Sequence, residues 1–137
     1  MKLPTLPIIN FYEKPSSCFN FIHVIQAPDS RNLIRFAEHR LARSHSDVYN
    51  LLRKELAQAL KVDDDSLDRG LFYNNYRCVG GGYAEIRAED RKHQYIGEMQ
   101  TECIIRGSSS TYGAADLDLV KRILEDSRKF DIVKIGH

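Results

Sequence analysis

A chain of 137 residues with 42% hydrophobic and 28% charged side chains has the size and make-up of one ordinary globular domain, and no segment shows the polar, aromatic-poor composition of disorder. Its 20 Lys and Arg against 19 Asp and Glu leave a formal net charge of +1, so affinity for nucleic acid or for an acidic partner has to come from a local patch. No apolar run approaches the roughly 20 residues that cross a bilayer, the opening "MKLPTLPIINFYEK" lacks a secretory pattern, and Cys18, Cys78 and Cys103 are too few for a zinc cluster or disulfide scaffold. The expectation is a soluble cytoplasmic protein with free thiols.

In chain order, a Pro- and Ser-punctuated stretch through "KPSSC" is expected to wrap the surface before a first strand over 19–26, "FNFIHVIQ", which is apolar on both faces and so belongs in a sheet interior. "APDSRNLIRFAEHRLARSHS" then offers Asp29 or Ser30 as an N-cap, and Leu33, Ile34, Ala37 and Leu41 recur at helical spacing, predicting a first helix. A second begins after Ser46, where Val48, Leu51, Leu52, Leu56, Ala59 and Leu60 form the clearest periodic pattern in the chain. The two could form an αα-hairpin or one bent helix. The acidic loop "KVDDDSLDRG" lacks the alternating ligands of a calcium loop and reads as solvated.

Three aromatic and β-branched runs follow, 71–79, 82–89 and 93–106, and read as an antiparallel meander with Gly80 to Gly82 at one turn. A last helix over about 114–128 carries Leu117, Val120, Ile123 and Leu124 inward, with Asp116 and Asp118 at its start. "FDIVKI" closes the chain as a strand. The pattern predicts one α+β domain over 1–137: a mostly antiparallel sheet, built from the meander and flanking strands, with two to three helices on one side.

Two constellations carry chemistry. Strand alternation puts Glu98, Gln100 and Glu102 on one face of the third run and Glu85, Arg87 and Glu89 on one face of the second. If those faces coincide, two carboxylates and an amide oxygen could hold a magnesium ion. The succession of helix, three strands, helix and strand resembles the core of the PD-(D/E)xK nucleases over roughly 70–135, with "GEMQ" similar to their third-strand element and Glu85 in place of the first acid. That resemblance implies Glu85, Glu98 and Gln100 as catalytic positions and Glu85 and Glu98 as magnesium ligands. Position 100 is Gln where the family uses Lys, and Arg87 stands where an Asp would, so water activation would need another group.

The second constellation is a ladder. Arg31, Arg35, His39 and Arg43 are four apart, so on a helix they form one basic row, with Arg40 beside it, that repels itself unless a partner compensates. The histidines show no metal spacing, and "VGGGY" lacks the helix that phosphate cradling needs. "LFYNNY" mixes aromatics and amides in the manner of a contact surface. The leading expectation is a small, non-enzymatic accessory, regulatory or immunity protein without a cofactor. Its basic ladder or charged meander face would engage an acidic protein surface or a nucleic acid, with a magnesium-dependent nuclease or a degenerate relative as the alternative.

Overall fold

The structure, a computed structural model, describes residues 3–12, 17–90 and 99–136, with 88–90, 99 and 100 placed by their backbone alone. Six strands form one mixed sheet: β1 (Ile9–Tyr12), β2 (Cys18–Gln26), β3 (Arg31–Glu38), β4 (Tyr76–Asp90), β5 (Met99–Arg106) and β6 (Ile132–Ile135). Their order across the sheet is β1-β3-β2-β4-β5-β6, antiparallel except for the two edge pairs, β1 with β3 and β5 with β6. Three helices complete the fold: α1 (His45–Leu60), α2 (Arg69–Asn75) and α3 (Leu117–Ser127). No helix among the described residues is long and apolar enough to cross a membrane.

The helices cover both faces of the sheet, where one covered face was expected. On one face Ile22, Val24, Leu33 and Ala37 pack under Val48, Leu52 and Leu56 of α1. On the other Phe19, Phe21, Ile34, Phe36, Cys103 and Ile105 pack under Val120 and Leu124 of α3. Phe11 of β1 stacks on Phe36 with ring centroids 4.4 Å apart, which ties the edge strand to the second core. Burying one such ring contributes on the order of 1.5–3 kcal/mol.

The first predicted helix is strand β3. Asp29 and Ser30 lie in the hairpin turn between β2 and β3, where Ser30 takes a φ of 55°. From Leu33 to Glu38 every residue is buried, because helices lie above and below this part of the sheet. Double burial removes the polar face that would have shown a period of two, and the surviving apolar spacing imitates a helix. Since the segment is extended, Arg31 and Arg35 do not share a helical row with His39 and Arg43.

The second predicted helix is α1, starting slightly earlier than expected. Ser44 is its N-cap: Ser44 Oγ accepts from Asp47 N at 3.2 Å and Asp47 Oδ2 accepts from Ser44 N at 3.3 Å. The meander is also different. Residues 71–75 of its first run fold into α2, capped by Asp68, with Phe72 stacked on Tyr76 at 5.6 Å, and only 76–79 are strand. Its second run continues through Gly80 to Gly82 as the single strand β4, so those glycines are not a turn. A Cβ at Gly80 would lie 2.6 Å from Ala115 Cα, so glycine is what lets the loop before α3 lie against the strand.

Burial sorts the three thiols, pushing Cys103 up to about 12 and Cys78 up to about 11, whereas Cys18 is exposed. With iodoacetamide at mildly alkaline pH, Cys18 is expected to be modified promptly and the other two only after denaturant is added. Peptide mass mapping before and after unfolding checks this; prompt labelling of Cys103 would contradict its place in the core.

Candidate functional site

The basic ladder divides into separate fates. Arg35 is fully buried, its Nε and Nη2 donating to Glu55 Oε1 at 2.7 Å and Oε2 at 3.0 Å. Arg31 donates to the Leu6 carbonyl, while His39 and Arg43 are exposed in the segment that leads into α1. A fully buried guanidinium paired with a carboxylate cannot meet a partner, so the four do not act as one surface.

The acidic faces of β4 and β5 do coincide by register: Arg87 lies opposite Glu102, Glu85 opposite Ile104 and Glu89 opposite Gln100. The two described carboxylates, Glu85 and Glu102, are each paired with a cation. Arg87 donates to both Glu85 oxygens, at 2.9 and 3.3 Å, and these bonds hold the Glu85 carboxyl below the usual carboxylate range. Glu102 pairs with Lys134 at 3.0 Å. Glu98 lies outside the described residues, Gln100 is placed by its backbone alone, and no group of three or more His, Cys, Asp or Glu among the described residues is placed to hold a metal ion.

A different centre forms where α1 meets β4. The segment entering the helix is fastened by Asn20 Nδ2, which donates to the Ala42 carbonyl at 2.8 Å. The N-cap then sets His45 at the first helical position, 5% exposed and lying against the glycine run. A Cβ on Gly81 would come within 2.7 Å of His45 Cδ2, so the ring can rest there only on glycine. His45 Nε2 meets the Gly82 carbonyl oxygen at 2.8 Å. A carbonyl only accepts, so this bond keeps a proton on Nε2 and leaves the lone pair of the neutral ring on Nδ1. Among the described residues Nδ1 has no hydrogen-bond partner.

Around that ring the groups come from distant parts of the chain. Tyr83, 41% exposed, meets His45 edge-on at 5.4 Å and carries His39 stacked on it at 6.2 Å. The loop after β5 returns beside Gly81, with Gly81 N donating to Gly113 O at 3.1 Å and Ala115 N to Gly81 O at 3.3 Å. Gly113 accepts the required left-handed φ of 80°. Within the loop Ser109 Oγ accepts from Thr111 N and Tyr112 N, and the Tyr112 hydroxyl reaches Ser46 Oγ at 3.4 Å. The N–H groups of His45 and Ser46, at the positive end of a 16-residue helix, have no partner among the described residues.

Sequence reasoning passed over His45. A local signal was present in "RSHSD", where Ser44 and Asp47 have capping-box spacing and so place the histidine at a helix start. Its seat on Gly81 and Gly82, 36 and 37 residues away in the chain, left no local trace. Comparison with protein-family models and with curated proteins finds no match.

Chemically the centre suits an oxyanion. Helix N-terminal amides attract negative charge, a protonated imidazole adds a charge-assisted donor, and a neutral one offers a lone pair to a proton or an electrophile.

Proposed function

We infer that the protein recognises a phosphate-bearing group on a partner protein, with His45 as the residue that contacts it. The observation that carries this reading is the His45 ring itself, buried, fixed through Nε2 and unpartnered at Nδ1 among the described residues, on the first residue of a helix whose first two amides also have no partner there. The exposed Tyr83 and Tyr73 suit contact with protein, and the burial of Arg35 removes the basic track that a nucleic-acid backbone would follow. Free thiols fit a cytoplasmic setting.

A second reading is favoured by the pinned tautomer: transfer or hydrolysis of that phosphate, with Nδ1 taking a proton from water as the water oxygen bonds to phosphorus and the leaving group departs.

Titrating inorganic phosphate and a phosphoserine peptide while following the His45 ring by NMR tests the binding. A saturable shift is expected, with affinity falling about tenfold in His45→Ala, the loss of one charge-assisted hydrogen bond. Unchanged affinity would remove His45 from the reading. Turnover of 4-nitrophenyl phosphate by the wild type and not by His45→Asn would establish the second reading over simple binding.

A further inference from the structure

A separate cavity of about 440 Å³ lies at the far end of β2, between the N-terminal segment, the turn after β2 and α2. Gln26 lines it and is 8% exposed, yet its Oε1 is buried without a hydrogen-bond partner among the described residues. Directly across the β2–β4 register stands Tyr76, fully buried, whose hydroxyl is likewise unpartnered. Folded proteins leave few buried polar atoms unpaired, because each one costs its full desolvation. Of the four such atoms among the described residues, two fall on this one cross-strand pair.

The wall supplies the rest of a recognition chemistry. Arg31 lines the cavity and spends Nη1 on the Leu6 carbonyl, leaving its other N–H groups without a hydrogen bond among the described residues. Asp29 adds one negative charge, and Leu3, Pro4 and Leu71 give an apolar side. The volume is within the range of roughly 300–1,000 Å³ typical of small-ligand sites. An acceptor that needs a donor, one charge of each sign and an apolar wall together match a zwitterion with an apolar side chain.

We propose that this cavity binds a free apolar α-amino acid, its carboxylate on Arg31, its ammonium on Gln26 Oε1 and Asp29, and its side chain against Leu3, Pro4 and Leu71. Gln26 lies four and five residues along β2 from Ile22 and Phe21, which pair with Gly81 and Gly82 beneath His45, so the cavity lies roughly 13–17 Å along the sheet from that centre and shares no lining residue with it.

L-leucine is the probe, followed by NMR of the Gln26 side-chain amide and the Leu71 methyls, with 4-methylpentanoate and isopentylamine as analogues that each lack one charge. Saturable shifts at both residues are expected with leucine, at least about tenfold weaker with either analogue. Gln26→Leu should abolish binding while raising the urea midpoint, since an unpartnered buried amide is replaced by an apolar group of similar size. Thr5→Trp, a change at an exposed wall position, should block the cavity without touching the core. Absence of any saturable shift would show that the cavity holds water only and would overturn the proposal, as would leucine binding that persists unchanged in both variants.

Discussion

Glu55→Ala is expected to cost about 3–5 kcal/mol of stability, because it leaves the Arg35 guanidinium buried without its counter-ion. Arg35 is 0% exposed and its two bonds to Glu55 are short, at 2.7 and 3.0 Å. Its remaining donors go to backbone: Nη1 to Ile34 O at 2.9 Å and Ile8 O at 3.2 Å, and Nη2 to Pro7 O at 2.7 Å. Tyr12 also donates its hydroxyl to Glu55, and burial, reinforced by that carboxylate, pushes the phenol above its ordinary range. One carboxylate on α1 therefore holds β3 and β1 together, and through the Pro7 and Ile8 carbonyls the chain leading into β1. Removing it leaves carbonyl partners that solvate the cation only in part.

The double change Arg35→Met with Glu55→Leu is expected to recover most of that loss, since a buried ion pair repays little more than its own desolvation. Urea denaturation of the single and double variants measures both. A cost below about 1 kcal/mol for Glu55→Ala would mean that water reaches Arg35 and that the pair behaves as a surface one.

Why the sequence pattern points this arginine to the surface follows from how β3 sits. Amphipathic elements declare themselves: α1 and α3 each have one wet side, so Val48, Leu52 and Leu56, or Val120 and Leu124, stand out against polar neighbours. Strand β2 is legible because Phe19, Phe21, Ile22, Val24 and Ile25 make a dense aromatic and β-branched run with apolar residues on both faces. β3 carries Leu33, Ile34, Phe36 and Ala37 with a buried cation among them, a pattern common to helices and interior strands. Which it becomes is decided by pairing with β2 on one side and β1 on the other, information held more than 20 residues away for β1. The same holds for "LFYNNY", whose aromatic content favours a strand until the Asp68 cap and the Phe72–Tyr76 stack draw it into α2. Of the candidate site, His39 was singled out from sequence for a ladder that does not form. His45 was left aside because its partners, Gly81, Gly82 and Tyr83, are joined to it only by the fold.

That dependence makes Gly81→Ala the sharpest test of the His45 centre. The added Cβ would lie 2.7 Å from His45 Cδ2, 2.8 Å from the Phe21 carbonyl oxygen and 3.2 Å from Ser109 Cβ, so it meets both the histidine and the neighbouring strand. Relief requires the ring to leave its seat and the β2–β4 ladder to open locally, a strain of about 1–3 kcal/mol. With the ring displaced, its bond to Gly82 is lost, Nε2 is no longer pinned, and phosphate binding should fall at least as far as in His45→Ala. Combining the two changes removes the clash with the imidazole but not the one with Phe21 O, so the double variant should regain part of the stability and none of the binding. Gly70→Ala is the contrast: it sits in α2 with its nearest foreign atom at 3.5 Å, and should be neutral or stabilising by up to about 1 kcal/mol. If Gly81→Ala kept both the wild-type stability and the His45 ring signals, the close approach of helix to strand would be wrong, and the phosphate reading built on it would fail with it.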